Sequence, residues 1–140
     1  MNKEFFNILM RCAGKSLEYN DVPVGAIIVK NGKVLSSGFN TREKDQNILG
    51  HAEINAIIEA QKTLNNWNLS GCDLYVTLVP CSMCMEIIKQ SRIDNIYYLL
   101  EKPTSKIEFS KTKLVKINGS NYEIKYGEIL SNFFKKLREK

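Results

Sequence analysis

Apolar side chains recur at three- and four-residue intervals in Phe6, Leu9, Met10, Ala13 and Leu17, which predicts an amphipathic helix over residues 3–18. Residues 19–23 break the period. An unbroken apolar run rich in β-branched residues, 24–29, then predicts a strand covered on both faces and placed centrally in a sheet. Asn31-Gly32 is a dipeptide favoured by tight hairpin turns, so residues 33–39 return as its antiparallel partner and Asn40 ends that strand. The polar stretch 41–50 has no period and reads as a loop. Helical spacing resumes at His51, with Ile54, Ile57 and Ile58 on one face, and runs to about residue 62. A loop over 63–71 holds Trp67, read as a packing residue. Residues 73–79 form a strand that delivers the chain to Pro80, and the next helix buries Met83, Ile87 and Ile88. Residues 95–100 are again a strand. Residues 101–121 show no clear period, 122–126 alternate as a short strand would, and Leu130, Phe133, Phe134 and Leu137 mark a final helix. On pattern alone its two phenylalanines belong to the core, with Lys135, Lys136 and Arg138 on the other face.

The alternation of strands and helices predicts an α/β fold. With 140 residues, the chain is expected to be one domain over 1–140, large enough to bury a core without staples. The net charge is +5 and unevenly placed: residues 1–100 carry ten Lys/Arg and ten Asp/Glu, whereas 101–140 carry ten and five. Such a lysine-rich stretch is able to follow a phosphate backbone, and it is equally the composition of a solvated surface. With no secretory signal and no apolar run of membrane-spanning length, the expected location is cytoplasmic, without a membrane partner.

The chemistry concentrates in two short stretches, His51-Ala52-Glu53 and Pro80-Cys81-Ser82-Met83-Cys84. Cysteines three apart at a helix start present both thiolates on one side, and Pro80 suits the entry to that helix. His51, Cys81 and Cys84 supply three zinc ligands and leave the fourth tetrahedral position open, as catalytic rather than structural sites do. Glu53 is then the expected proton acceptor. Residues two apart do not share a helix face, so His51 and Glu53 serve one site only if the metal lies off the N-terminal end of their helix. The remaining cysteines do not suit a fourth ligand. Cys12 falls on an apolar helix face, and Cys72 precedes a strand that at about 3.3 Å per residue carries it roughly 25 Å from Cys81. Four cysteines, two of them in this motif, argue for a reducing compartment over a disulfide scaffold.

Paired in this order, H-x-E and P-C-x-x-C resemble the signature of zinc-dependent nucleobase deaminases. Asp21-Val22-Pro23-Val24-Gly25-Ala26, Gly38-Phe39-Asn40, Tyr75-Val76-Thr77-Leu78, Ser91-Arg92-Ile93 and the terminal Phe133-Phe134 narrow the likeness to the bacterial tRNA-specific adenosine deaminases, over about residues 5–100 and 122–138. The resemblance implies a three-layer α/β/α fold with a five-stranded mixed sheet, a homodimer, one zinc ion per subunit and conversion of the wobble adenosine of a tRNA anticodon loop to inosine. It implies that His51, Cys81 and Cys84 hold zinc and that Glu53 shuttles protons. Asn40 and the backbone of Ala52 would bind the flipped base, Val24 and Leu78 would line its pocket, and Phe134 would approach the RNA. The chain departs from the pattern at Val79, where the family commonly has Glu, in residues 101–106, and in a final helix that reads as shortened. Two alternatives follow from the same residues: a deaminase of free guanine, cytosine or a nucleoside, and a non-catalytic zinc-stabilised RNA-binding module. The acid at Glu53 argues against the second, since a structural clip needs none.

Overall fold

A computed structural model describes residues 1–101, 112–118 and 121–139. Helix α1 (Lys3–Glu18) is followed by the hairpin β1 (Gly25–Lys30) and β2 (Lys33–Phe39), a single turn α2 (Arg42–Asp45), and α3 (Ala52–Leu64). Then come β3 (Cys72–Leu78), α4 (Ser82–Gln90), β4 (Asn95–Leu100), β5 (Lys113–Lys116) and α5 (Tyr122–Arg138). The five strands form one mixed sheet in the order β2-β1-β3-β4-β5. β1 runs antiparallel to both its neighbours, whereas the pairs β3/β4 and β4/β5 are parallel. This is the α/β architecture that the alternation of elements predicts, with the five-stranded mixed sheet that the resemblance implies.

Side-chain alternation along β1 assigns the layers. Ile27 and Val29 pack with Phe5 and Leu9 of α1, while Ala26 and Ile28 face the other way and join Ile54, Ala56 and Ile57 of α3. Helix α5 sits on the α1 side, where the rings of Phe6 and Tyr122 stack at 4.2 Å. Two glycines let the helices approach. A Cβ on Gly25 would lie 2.9 Å from Cys12 Cβ in α1, and one on Gly38 would lie 2.7 Å from the Ala56 nitrogen in α3. Gly25 and Gly38 sit on paired positions one apart in the hairpin, so the sheet is gripped from both sides at the end that carries the site. Gly38→Ala is expected to destabilise the fold by about 1–3 kcal/mol through overpacking, read as a lowered urea midpoint with unchanged slope.

Several expectations are corrected. The fifth strand is Lys113–Lys116, not 122–126: the Tyr122, Tyr126 and Leu130 spacing of four is helical, and only Tyr126 is fully buried. The polar loop 41–50 contains the turn α2. Trp67 is 59% exposed and Ile58 44%, so neither serves the core. The final helix takes in residues 122–126 and has 17 residues, and Phe134 is 40% exposed where the pattern alone places it in the core. The departure from the family pattern in residues 101–106 falls, but for Glu101, outside the described residues.

Candidate active site

Strand β3 ends against the sheet's C-terminal edge, and the chain turns at Pro80 into α4. Cys81 is the N-cap of α4 and His51 is the N-cap of α3; both have extended backbone and neither side chain caps its own helix. The cap position releases the side chain from the helical array and aims it off the helix end. The first intrahelical bonds nevertheless start there, from Asn55 N–H to the His51 carbonyl at 3.0 Å and from Met85 N–H to that of Cys81 at 2.9 Å. Cys84 lies in the first turn of α4, fully buried. Among the described residues, His51, Cys81 and Cys84 form a group whose donor atoms all lie within 4.8 Å of one another.

His51 Nδ1 lies 3.4 Å from Cys84 Sγ and 3.9 Å from Cys81 Sγ. Nitrogen and sulfur donors at ordinary zinc distances subtend about 3.6 Å at tetrahedral angles, so the donor set fits zinc in identity and in spacing. Electrostatics favour a cation there. Hydrogen bonds from Cys84 and then His51 hold Cys81 far below the usual thiol range, while donation to Cys81 and burial drive Cys84 above it. The hydrogen bond to Cys81 raises His51. The partial positive charges of two helix N-termini add to the stabilisation of thiolate.

The group opens on a cleft of about 370 Å³ lined by Val24, Asn40, Glu53, Leu78, Leu130 and Phe134, among others. Glu53 is 4% exposed, and burial pushes its carboxyl above the usual carboxylate range. Asn40 is bonded at both ends of its amide: Oδ1 accepts from Ala52 N–H at 2.9 Å and Nδ2 donates to the Val22 carbonyl at 3.0 Å. Ala52 thus enters through its backbone, its side chain being fully buried. Of the residues singled out from sequence, Val24, Asn40, His51, Glu53, Leu78, Cys81 and Phe134 line the cleft, and Cys84 stands behind it. Sequence reasoning assigned no role to Asp21, Arg42, Glu101 or Leu130, which also line it. Asp21 belongs to the segment 21–26 that carries the family resemblance, and Arg42 lies within the polar stretch 41–50, whose lack of period singles out no residue.

A chain of this geometry has clear relatives. It is 39% identical to the tRNA-specific adenosine deaminase of Aquifex aeolicus, over 99% of this chain and 97% of that one. The chain belongs to the tRNA-specific adenosine deaminase family. The deaminase of that name from Bacillus subtilis is 34% identical over 91% of this chain and 85% of its own. A profile of the MafB19-like deaminases matches residues 1–138. A solved structure from work on A-to-I editing by tRNA:A34 deaminases superposes with a TM-score of 0.82 at 28% identity, covering 92% of this member of the family and 100% of that chain. A guanine deaminase from Bacillus subtilis, at 24% identity and a TM-score of 0.66, shares the fold.

Proposed function

We propose that the protein hydrolyses the 6-amino group of the wobble adenosine in tRNA anticodons, giving inosine and ammonia. The observation that carries this reading is the convergence of His51, Cys81 and Glu53 on one cleft, with Cys84 completing the donor group of His51 and Cys81, in a chain of this family. His51, Cys81 and Cys84 would hold one zinc ion, which when bound supplies Lewis acidity and brings the pKa of a water to about 7. Glu53 accepts the proton of the attacking water and delivers it to N1 of the purine as the C6–O bond forms. It then carries the second proton to the departing nitrogen as the C6–N bond breaks, and NH3 leaves. A carboxyl whose pKa is raised by burial is suited to a group that must both take and give a proton.

Asn40 has one Nδ2 hydrogen and one Oδ1 lone pair beyond its two internal bonds, enough to orient the purine edge, while Val24 and Leu78 form the apolar walls. Leu130 and Phe134 complete the rim from α5, whose last turn carries Lys135, Lys136 and Arg138. That arrangement supports RNA binding by stacking and phosphate contact, and an unpaired loop base costs little to extrude. Among the described residues no helix is long and apolar enough to cross a membrane. The family likeness supports a homodimer working in the cytoplasm.

The deciding experiment incubates purified protein with an anticodon stem-loop bearing a wobble adenosine and, in parallel, with free adenosine, guanine and cytosine, reading inosine and ammonia. Inosine in the stem-loop alone is the expected result. Turnover of a free base without the stem-loop would overturn the substrate, and no turnover of any would favour a binding module.

A further inference from the structure

We propose that Asp21 is a positioning residue that locks the loop bearing Arg42 against the cleft mouth, so that the enzyme grips a polynucleotide by a phosphate beside the reacting base. The proposal rests on the tRNA reading above. Asp21 is 2% exposed, and a carboxylate that deep needs hydrogen-bond donors. It finds them 22 and 23 residues away: Oδ1 accepts from Glu43 N–H at 2.8 Å and Oδ2 from Lys44 N–H at 3.4 Å. These are N–H groups of the first turn of α2, which a local cap would ordinarily serve. Thr41 occupies that cap position and its side chain makes no capping bond; its hydroxyl oxygen instead accepts from Asn55 Nδ2 at 3.0 Å.

A single turn cannot hold itself together, because the nucleation cost exceeds what its own hydrogen bonds return. Asp21 therefore supplies what orders it, and Asp21 is itself tethered, its N–H donating to the Ser16 carbonyl at the end of α1 at 3.0 Å. The loop is closed at its base by Thr41 N–H to the Gly50 carbonyl at 2.8 Å and braced by Lys44 Nζ, 5.4 Å from the Tyr19 ring centroid. What this geometry presents to the cleft is Arg42. Its guanidinium has a loose 3.9 Å approach to Glu43, both side chains half exposed, and screening by solvent leaves such a pair weak. A guanidinium so placed suits the planar, doubly hydrogen-bonded recognition of a phosphate. The neighbouring Val22 carbonyl takes Asn40, so one short segment positions both the base-facing amide and the phosphate-facing arginine.

The test measures steady-state deamination of the anticodon stem-loop by the wild type, Asp21→Ala, Asp21→Asn, Asp21→Glu, Arg42→Ala and the Asp21→Ala/Arg42→Ala pair, with amide hydrogen exchange of residues 43 and 44 on RNA-free protein. Asp21→Ala and Arg42→Ala should each raise KM about tenfold, the share of a charge-assisted contact, with kcat changed less than about twofold. The pair should be no worse than Arg42→Ala alone, Asp21→Asn should fall between wild type and Asp21→Ala, and Asp21→Glu should recover most of the loss. Exchange at 43 and 44 should accelerate at least about tenfold in Asp21→Ala. Additive effects in the pair, a loss confined to kcat, or unchanged exchange in both Asp21→Ala and Asp21→Asn would overturn the proposal while the wild type still edits RNA. A wild type that leaves the stem-loop unedited would overturn the functional reading, and this inference with it.

Discussion

Glu53→Gln is expected to lower kcat on the wobble adenosine by about a thousandfold or more while leaving the metal bound and the melting temperature equal to or above that of the wild type. The amide keeps the shape of the side chain and loses its ability to carry a proton, a function worth roughly two to four orders of magnitude in rate. Stability should move the other way because the wild-type carboxyl sits almost wholly out of solvent, where burial disfavours its charged form. Replacing it removes that cost, and for a chain of this size each kcal/mol regained appears as about 2–4 °C. Metal analysis, calorimetry and single-turnover kinetics on the same preparation check the three parts together. Retained turnover would remove Glu53 from the reaction, and a large fall in melting temperature would mean its carboxylate holds the fold rather than serving the chemistry.

Stripping metal with a chelator is expected to abolish turnover and to lower the melting temperature by on the order of 10 °C, with both restored by added zinc. A ligand present at a thousand times its Kd stabilises the native state by about 4 kcal/mol, and 2–4 °C per kcal/mol gives that shift. The physical reason lies in the three donors. His51, Cys81 and Cys84 converge within 4.8 Å, and without a cation the Cys84 thiol holds its proton, through its hydrogen bond to Cys81 and then its burial, while Cys81 carries charge against the imidazole. The measurement is differential scanning calorimetry with and without chelator, followed by zinc titration. A chelated protein that keeps its activity and its melting point would refute a metal at this site.

The order of elements could be read wherever burial follows one period for long enough. β1 is buried at nearly every position and α1 presents Leu9, Cys12 and Ala13 inward, so hydropathy alone locates both. β5 could not be found that way. It has four residues, its two lysines flank half-buried Leu114 and exposed Val115, and an alternation that brief is indistinguishable from loop. Tyr122 and Tyr126 fit a strand as well as a helix, because a spacing of four also falls on every second position of a strand; packing of Tyr122 against Phe6 chooses the helix. The candidate metal donors, His51, Cys81 and Cys84, stand out in the sequence because metal chemistry needs residue types that serve little else in combination. Asp21 does not, because its partners are backbone N–H groups, which any sequence supplies, more than twenty positions away.

The strand that delivers Cys81 and Cys84 does not pair with β2, the strand before it in sequence, but inserts between β1 and β4. Ala26 of β1 faces Gly38 in the local hairpin and Val76 of β3 across a long loop, so the hairpin can form early while β3 must wait for a distant closure. His51 follows the first event and the two cysteines follow the second. A folding chain would therefore keep the cysteine pair apart from the imidazole until β3 has entered the sheet, so that tight metal uptake would mark the completion of the central sheet rather than its beginning.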